Sequence, residues 1–227
     1  LGVSAPSSAP TATATNAGSG AFGAATWNIV YTRVHDGTLA ESNPSPVGNV
    51  TLGSASDIAL SWSPHSQTGF SKIRVYMKKS TDAVFLQIGE IANDGSHTFT
   101  SDAFLNIALE EDNNEALDFD HVEFFNGYYF GTKGNVLYWS KAWNPFAWPG
   151  LHFAELPFVG NDGVTALVSH QDTLLIFGRR NLILVSGYGP FGFSLVRVDA
   201  DYGAVGVDAV IELGTEVLFV AHDGLRS

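Results

Sequence analysis

Three of the five tryptophans, Trp139, Trp143 and Trp148, fall within ten residues of each other in the stretch NGYYFGTKGNVLYWSKAWNPFAW (126–148). Indole and phenyl faces at this density suit one kind of recognition: they stack on sugar rings or bases while nearby carboxylates hold hydroxyls. Trp143, Phe146 and Trp148 are the side chains that would form such a platform. The competing reading makes the same rings packing material for a β scaffold. The choice separates a carbohydrate-binding or glycan-degrading protein from a structural part.

Other residue patterns point to catalysis less well. Two stretches match G-x-G-x-x-G, GSGAFG (Gly18, Gly20, Gly23) and GYGPFG (Gly187, Gly189, Gly192). A nucleotide site needs this turn to open a helix whose N-terminus faces the pyrophosphate. The first match runs into the strand-like TWNIVY and the second contains Pro190 and runs into FSLVRV, so both read as loops. The seven histidines, His35, His65, His97, His121, His152, His170 and His222, are scattered without the spacing of a zinc site. The acidic run EEDNNE (Glu110 to Glu115) carries hard oxygen ligands but lacks the order of a calcium loop, and reads as a solvated linker. Asp118 with Asp120, and Asp199 with Asp201, are the carboxylate pairs a glycosidase would want; acidic pairs in turns explain them equally. No G-x-S-x-G elbow is present, nor an S-x-D-x-G-x-T-W box of the sialidase type. The reading assigns no catalytic, cofactor or metal residue and no enzyme activity.

The composition agrees with a passive part. The chain has 227 residues, 45% of them hydrophobic and only 15% charged, a charge content that suits a surface covered by neighbours. Its net charge is −12, and the basic residues cluster only as the pairs Lys78-Lys79 and Arg179-Arg180, which argues against specific nucleic-acid binding. No cysteine is present, which removes disulfides and thiol chemistry. No apolar run is long enough to span a bilayer, so no membrane anchor is expected. The N-terminus LGVSAPSSAP has neither the charged nor the apolar region of a signal peptide. The missing initiator Met and the ending HDGLRS suggest a piece of a longer polypeptide.

The elements that must position these residues are strands. After an extended Ala/Ser/Thr/Pro segment with a first strand at about Thr11 to Thr15, period-2 alternation predicts strands in TWNIVYTRV, DIALSWS, SKIRVYMKK and AVFLQIGEIA, separated by turn residues such as Asp36-Gly37 and Asn93-Asp94-Gly95. Ile58, Leu60 and Trp62 share one face, as do Ile73, Val75 and Met77. This spacing predicts an antiparallel sandwich over 1–102. Residues 103–118 turn acidic and read as a linker, with room for one short helical turn. Over 119–227 the segments YYFGTKGNVLYWS, LLIFGRRNLILVSG and VLFVAHDGLRS share a plan of strand, polar turn and strand. Phe130 matches Phe177 and Asn135 matches Asn181. A strand-only repeat of about 40–50 residues predicts β-propeller blades. Tyr128, Phe130, Val136 and Tyr138 are expected to fill the space between blades, with Trp139 on the face opposite Tyr138.

The order of these segments resembles the tail nozzle or tail hub proteins of short-tailed bacteriophages. The residues that carry the resemblance are the ESNPSP loop after a Tyr-bearing strand, the LYWS strand followed by an NP…W loop, and LLIFGRRNLILVSG ahead of a Phe-Gly segment. The resemblance implies an all-β fold, a fibronectin III-like sandwich followed by propeller-type blades that are incomplete in this chain. It further implies a homo-oligomer, a hexameric ring in the virion tail, assembled in the host cytoplasm. Such a ring would contact an adaptor or portal-side ring above and fibres or a tip below, with phage DNA passing through its channel during ejection without specific binding. The departure from the family is length: its propeller needs several more blades than the two or three read here.

Overall fold

The computed structural model describes residues 2–160, 162–198 and 201–227. They form an all-β structure of eighteen strands whose only helical element is the single 3-10 turn Val207–Ala209. The chain divides into two compact units, Gly2–Glu115 and Ala116–Ser227, taken separately below.

The N-terminal unit is a sandwich of three strands on four. One sheet has the order β1 (Thr11–Thr15), β4 (Asp57–Ser61), β7 (Ser96–Phe99). The other has the order β3 (Gly48–Leu52), β2 (Ala25–Val34), β5 (Lys72–Lys79), β6 (Leu86–Ala92). All pairings are antiparallel. Alternation puts Ile29 and Tyr31, Ile73, Val75 and Met77, and Ile58 and Leu60 into one core with Trp27 and Trp62, because successive side chains on a strand point to opposite faces.

The far face of the four-stranded sheet is also covered. Thr32 and Tyr76 are buried there, beneath the ESNPSP loop. Glu41 of that loop accepts hydrogen bonds from Thr32 Oγ1, from Arg74 Nη1 at 2.6 Å and from Tyr76 Oη at 2.7 Å. A charge taken so far from water is tolerable because its oxygens find donors. Burial, then the Glu41 charge, pushes the Tyr76 hydroxyl well above its ordinary range.

The stretch expected as a linker is part of this unit for most of its length. Residues 103–115 hold no helical turn; they run extended beside β6, with Leu105 N–H donating to Gln87 O, Gln87 N–H to Ile107 O and Leu109 N–H to Phe85 O. A half-buried ring anchors the stretch: Phe104 packs on the core and stacks on Trp27 at 6.0 Å.

The C-terminal unit consists of consecutive antiparallel meanders. The first is β8 (His121–Phe125), β9 (Tyr128–Lys133), β10 (Val136–Trp139), β11 (Phe153–Glu155). The second is β12 (Val164–His170), β13 (Thr173–Gly178), β14 (Leu182–Ser186), β15 (Ser194–Arg197). The third has three strands, β16 (Val210–Leu213), β17 (Glu216–Ala221), β18 (Gly224–Arg226). The sheets stack face to face and approach each other along their first strands, with β12 lying against β8 on one side and β16 on the other. Sheets of this blade type do not close into a barrel.

Phe130 and Phe177 occupy equivalent places, as the repeat requires. Each lies on the second strand of its meander and faces the next sheet, Phe130 in the core between the first and second sheets and Phe177 in the core between the second and third. The turns repeat as well. Asp120 accepts a hydrogen bond from Gly134 N–H in the β9–β10 turn, and Asp162 accepts from Arg179 and Arg180 N–H in the β13–β14 turn. In both sheets a carboxylate just ahead of the first strand caps the turn between the second and third.

One expectation about faces is corrected. The register pairs Phe130 with Trp139 and Gly131 with Tyr138, and directly opposed residues share a face. Tyr128, Phe130 and Trp139 therefore point into the core, while Tyr138 lies on the outer face. The cause is the two-residue turn Gly134-Asn135, closed by Lys133 opposite Val136, with Gly134 at φ +58°. A longer turn would shift the register and turn every side chain of β10 over.

Candidate functional site

The aromatic stretch is built on the first meander and the connection between β10 and β11. Its base is the β8–β9 turn Asn126-Gly127, where both residues take positive φ, 50° and 85°, as a tight hairpin requires. Trp143 sits above this turn. Its own φ is +57°, its N–H donates to Gly127 O at 2.6 Å, and its ring covers Gly127 so closely that a Cβ there would meet the indole at 3.2 Å. The ring also leans on Phe124 at 5.4 Å, yet Trp143 remains 75% exposed.

The rest of the connection folds back on itself. Lys141 N–H donates to Ala147 O, Phe146 N–H to Asn144 Oδ1, and Trp148 Nε1–H to Pro145 O at 2.8 Å. Trp148 is 7% exposed and packs on Phe119 at 4.5 Å. Phe119 in turn lies over Gly131, where a Cβ would come within 2.6 Å of the ring. Phe146 is half-buried.

The three rings proposed as a platform are therefore separated by burial. Trp143 faces solvent beside Phe124, Trp148 is sunk against Phe119, and Phe146 joins neither contact. Trp148 does line an open hollow of about 550 Å³ together with Phe119, Tyr129, Val122 and Asp118. Trp139, the third tryptophan of the stretch, is a core residue stacked on His152 at 5.7 Å, and its indole N–H is buried without a hydrogen-bond partner.

The weaker candidates are dispersed. Asp120 caps a turn, and Asp118 is exposed beside Lys133. Asp199 lies outside the described residues, and Asp201 borders a different hollow. His35 and His65 both stand edge-on to Phe70, and His97 stands edge-on to Phe99. Among the described residues no three His, Asp or Glu side chains group as metal ligands. Gly18 to Gly23 form the loop between β1 and β2, where a Cβ on Gly20 would collide with the Ser56–Asp57 backbone at 2.0 Å. Gly187 to Gly192 form the loop between β14 and β15. Of the run Glu110 to Glu115, Asn113 N–H is held by Asn43 Oδ1 and Asn114 by Asn43 Nδ2.

Two charged groupings were not visible as such in the sequence. The first lies on the leading strands of the three meanders. Glu123 of β8 and Glu212 of β16 sit close to the end of β12, where Glu212 pairs with His170 Nδ1 at 3.2 Å. Burial pushes the Glu123 carboxyl up, a backbone bond from Ser169 opposes this, and the Glu212 charge adds to the rise. The second grouping gathers Arg179, Arg180 and Arg197 around one hollow. Arg179-Arg180 is plain in the sequence, but Arg197 lies a strand away and only the β14–β15 pairing returns it to the same end of the sheet.

No protein-family model matches the chain, and a search of curated proteins finds no match. No helix is long and apolar enough to cross a membrane among the described residues.

Proposed function

We propose that the chain is a non-catalytic structural component of a bacteriophage tail, a nozzle or hub protein that assembles into a ring around the DNA conduit. The observation that carries this reading is the stack of blade-type meanders whose two outermost faces are left apolar. On the first sheet Val122, Phe124 and Phe153 are exposed, and on the third Ile211, Leu213, Val220 and Leu225. Exposed apolar patches of this kind ordinarily belong to interfaces, and the unpaired edge of β18 invites a further strand. Neighbouring copies or neighbouring tail proteins, the adaptor or portal side above and fibres or a tip below, would cover them. In a blade arrangement the first strands face the axis, so Glu123 and Glu212 would place carboxylates on a channel wall that repels DNA phosphates and lets the duplex slide. Electron microscopy of the native particle tests the reading. A sixfold ring of this chain in the tail is the expected result; its absence from the particle, or a ring with a basic lumen, overturns it.

One observation favours a second reading, a glycan-binding module. The hollow lined by Trp148, Tyr129 and Phe119 is of ligand size and has Asp118 at its edge to hold a hydroxyl. A glycan array decides: saturable binding lost in Trp148→Ala would support it. Trp143→Ala would be the informative variant if an exposed ring alone held the sugar.

A further inference from the structure

The chain carries 23 acidic and 11 basic residues, yet three arginines, Arg179, Arg180 and Arg197, line a single hollow of about 430 Å³. Their supports are unusually well fixed for a surface turn. Asp162 accepts from the backbone N–H groups of Gly163, Arg179 and Arg180, each at 3.0 Å, and from Asn181 Nδ2 at 2.6 Å. Asn181 is only 1% exposed, and its Oδ1 accepts from Val159 N–H at 3.1 Å and from Arg197 Nε at 2.9 Å. The Asp162 carboxylate, which also borders the hollow, keeps its charge, but its oxygens are engaged by the turn it organises. No carboxylate lies within ion-pair distance of Arg179, Arg180 or Arg197 among the described residues, whereas Arg74 and Arg226 both have one.

A half-buried guanidinium held by a neutral amide, with two more guanidinia beside it, is an incomplete arrangement. Arg presents a planar fork of donors, and among the described residues only Nε of Arg197 is engaged. We infer that this hollow is an oxyanion site, and that its ligand carries a tetrahedral phosphate-type group, free or as a monoester. Three separate forks favour a tetrahedral group because its oxygens point in different directions and can each face one fork, whereas the two oxygens of a carboxylate lie in one plane. The volume exceeds that of the anion itself, which leaves room for the group that bears it. Asp201 on the rim acts against binding by charge repulsion. The inference is independent of the tail reading.

The test is titration of the full chain with inorganic phosphate at constant ionic strength, read by NMR through the Arg197 side-chain Nε–H and the Gly163 and Arg180 amides. Saturable shifts are expected at those signals. Arg180→Gln and Arg197→Gln should each weaken binding about tenfold, a usual loss for one charge-assisted contact, and Asp201→Asn should tighten it several-fold. Arg180 is exposed, so its variant keeps the fold and guards against misreading a structural loss at Arg197. A phosphomonoester that binds more tightly than free phosphate identifies a ligand-borne group; equal affinity identifies the free anion. Acetate binding as well as phosphate, shifts that do not saturate, or weaker binding in Asp201→Asn would each overturn the assignment. So would a DNA duplex that binds with a steep salt dependence where phosphate does not.

Discussion

The second meander of the C-terminal unit presents one face to each neighbour, and the two seams differ. Toward the first sheet, Leu174, Ile176, Ile183 and Val185 are fully buried against Phe130, Leu137 and Trp139. The outer end of that seam is sealed by β15, whose approach brings Phe193 edge-on to Phe130 at 5.1 Å and Tyr128 at 5.3 Å. Toward the third sheet, among the described residues, only Ala166, Phe177, Ala204 and Val217 form the buried core, and Leu175, Phe177, Leu182 and Phe219 border an open hollow of about 440 Å³. The same sheet, with equally apolar faces, thus makes one closed core and one unfinished one. The difference lies at the outer edge: β15 brings Phe193 and Leu195 over the first seam, and among the described residues no strand stands in that place over the second. The outer strand of a meander thus decides whether the seam inside it is closed.

The largest predicted effect breaks or sustains this contrast directly, because the repeat supplies matched residues. Phe130→Ala should destabilise the C-terminal unit by about 3–5 kcal/mol, the usual loss for a fully enclosed phenyl ring. Phe177→Ala should cost less, roughly half of that, since this ring, though itself buried, lines the hollow, so its removal enlarges an existing space instead of opening a new one. Urea denaturation followed by tryptophan fluorescence measures both. Equal losses would mean that the second seam is as tightly packed as the first.

What the sequence disclosed and what it hid follow the same logic. Period-2 alternation found β2, β4 and β5 and the core faces of β4 and β5, but not that the far face of β2 and β5 is covered as well, where Thr32 and Tyr76 are buried. The meander repeat was legible through Phe130 and Phe177 because inter-sheet packing constrains those positions. The face of Tyr138 was not, since it depends on a turn closing at two residues rather than three. Nor was the role of 103–115, whose acidic residues mask the few apolar ones that dock. At the candidate site, the density of rings in 126–148 was obvious, but their sorting into buried Trp148 and exposed Trp143 depends on how the NPFAW loop closes on Phe119, a contact no spacing rule contains. The convergence of Arg197 on Arg179-Arg180 was hidden for a similar reason: a strand pairing makes it.

The unfinished side should also be the sticky one. Ile211→Lys combined with Leu225→Lys, both on exposed positions of the third sheet, should leave folding stability within about 1 kcal/mol while reducing concentration-dependent association, measured by sedimentation velocity. Charges on an exposed strand face are a natural means of blocking edge and face pairing. If the doubly substituted chain associates as strongly as the original, the outer face of the third sheet is not the adhesive surface. On the first sheet, Trp143→Ala should change stability by no more than about 0.5 kcal/mol, in contrast to Trp148→Ala, where a buried ring is lost at about 3 kcal/mol.

The smallest effect is electrostatic and separates the two ends of the second meander. Burial raises the Glu123 carboxyl above its ordinary 4.5, and Glu212 reinforces the shift across the end of β12 that carries His170. The folded chain therefore holds that proton to higher pH than the unfolded chain does, and stability falls as pH rises from 4.5 through the raised value. Asp162 behaves oppositely: burial alone would raise its carboxyl, but the N–H groups of Arg180, Arg179 and Gly163 and the Asn181 amide together hold it below 3.8. Its contribution is complete above 3.8 and is lost as pH falls toward the depressed value. The windows do not overlap, so difference curves against the parent chain resolve them. Glu123→Gln should gain stability relative to the parent as pH climbs above 4.5, and Asp162→Asn should lose least below 3.8. Chemical denaturation at stepped pH measures both curves. A Glu123→Gln difference that stays flat across its window would mean that water reaches this carboxylate, and that the leading strands of the meanders stand further apart at that end than at the capped turn.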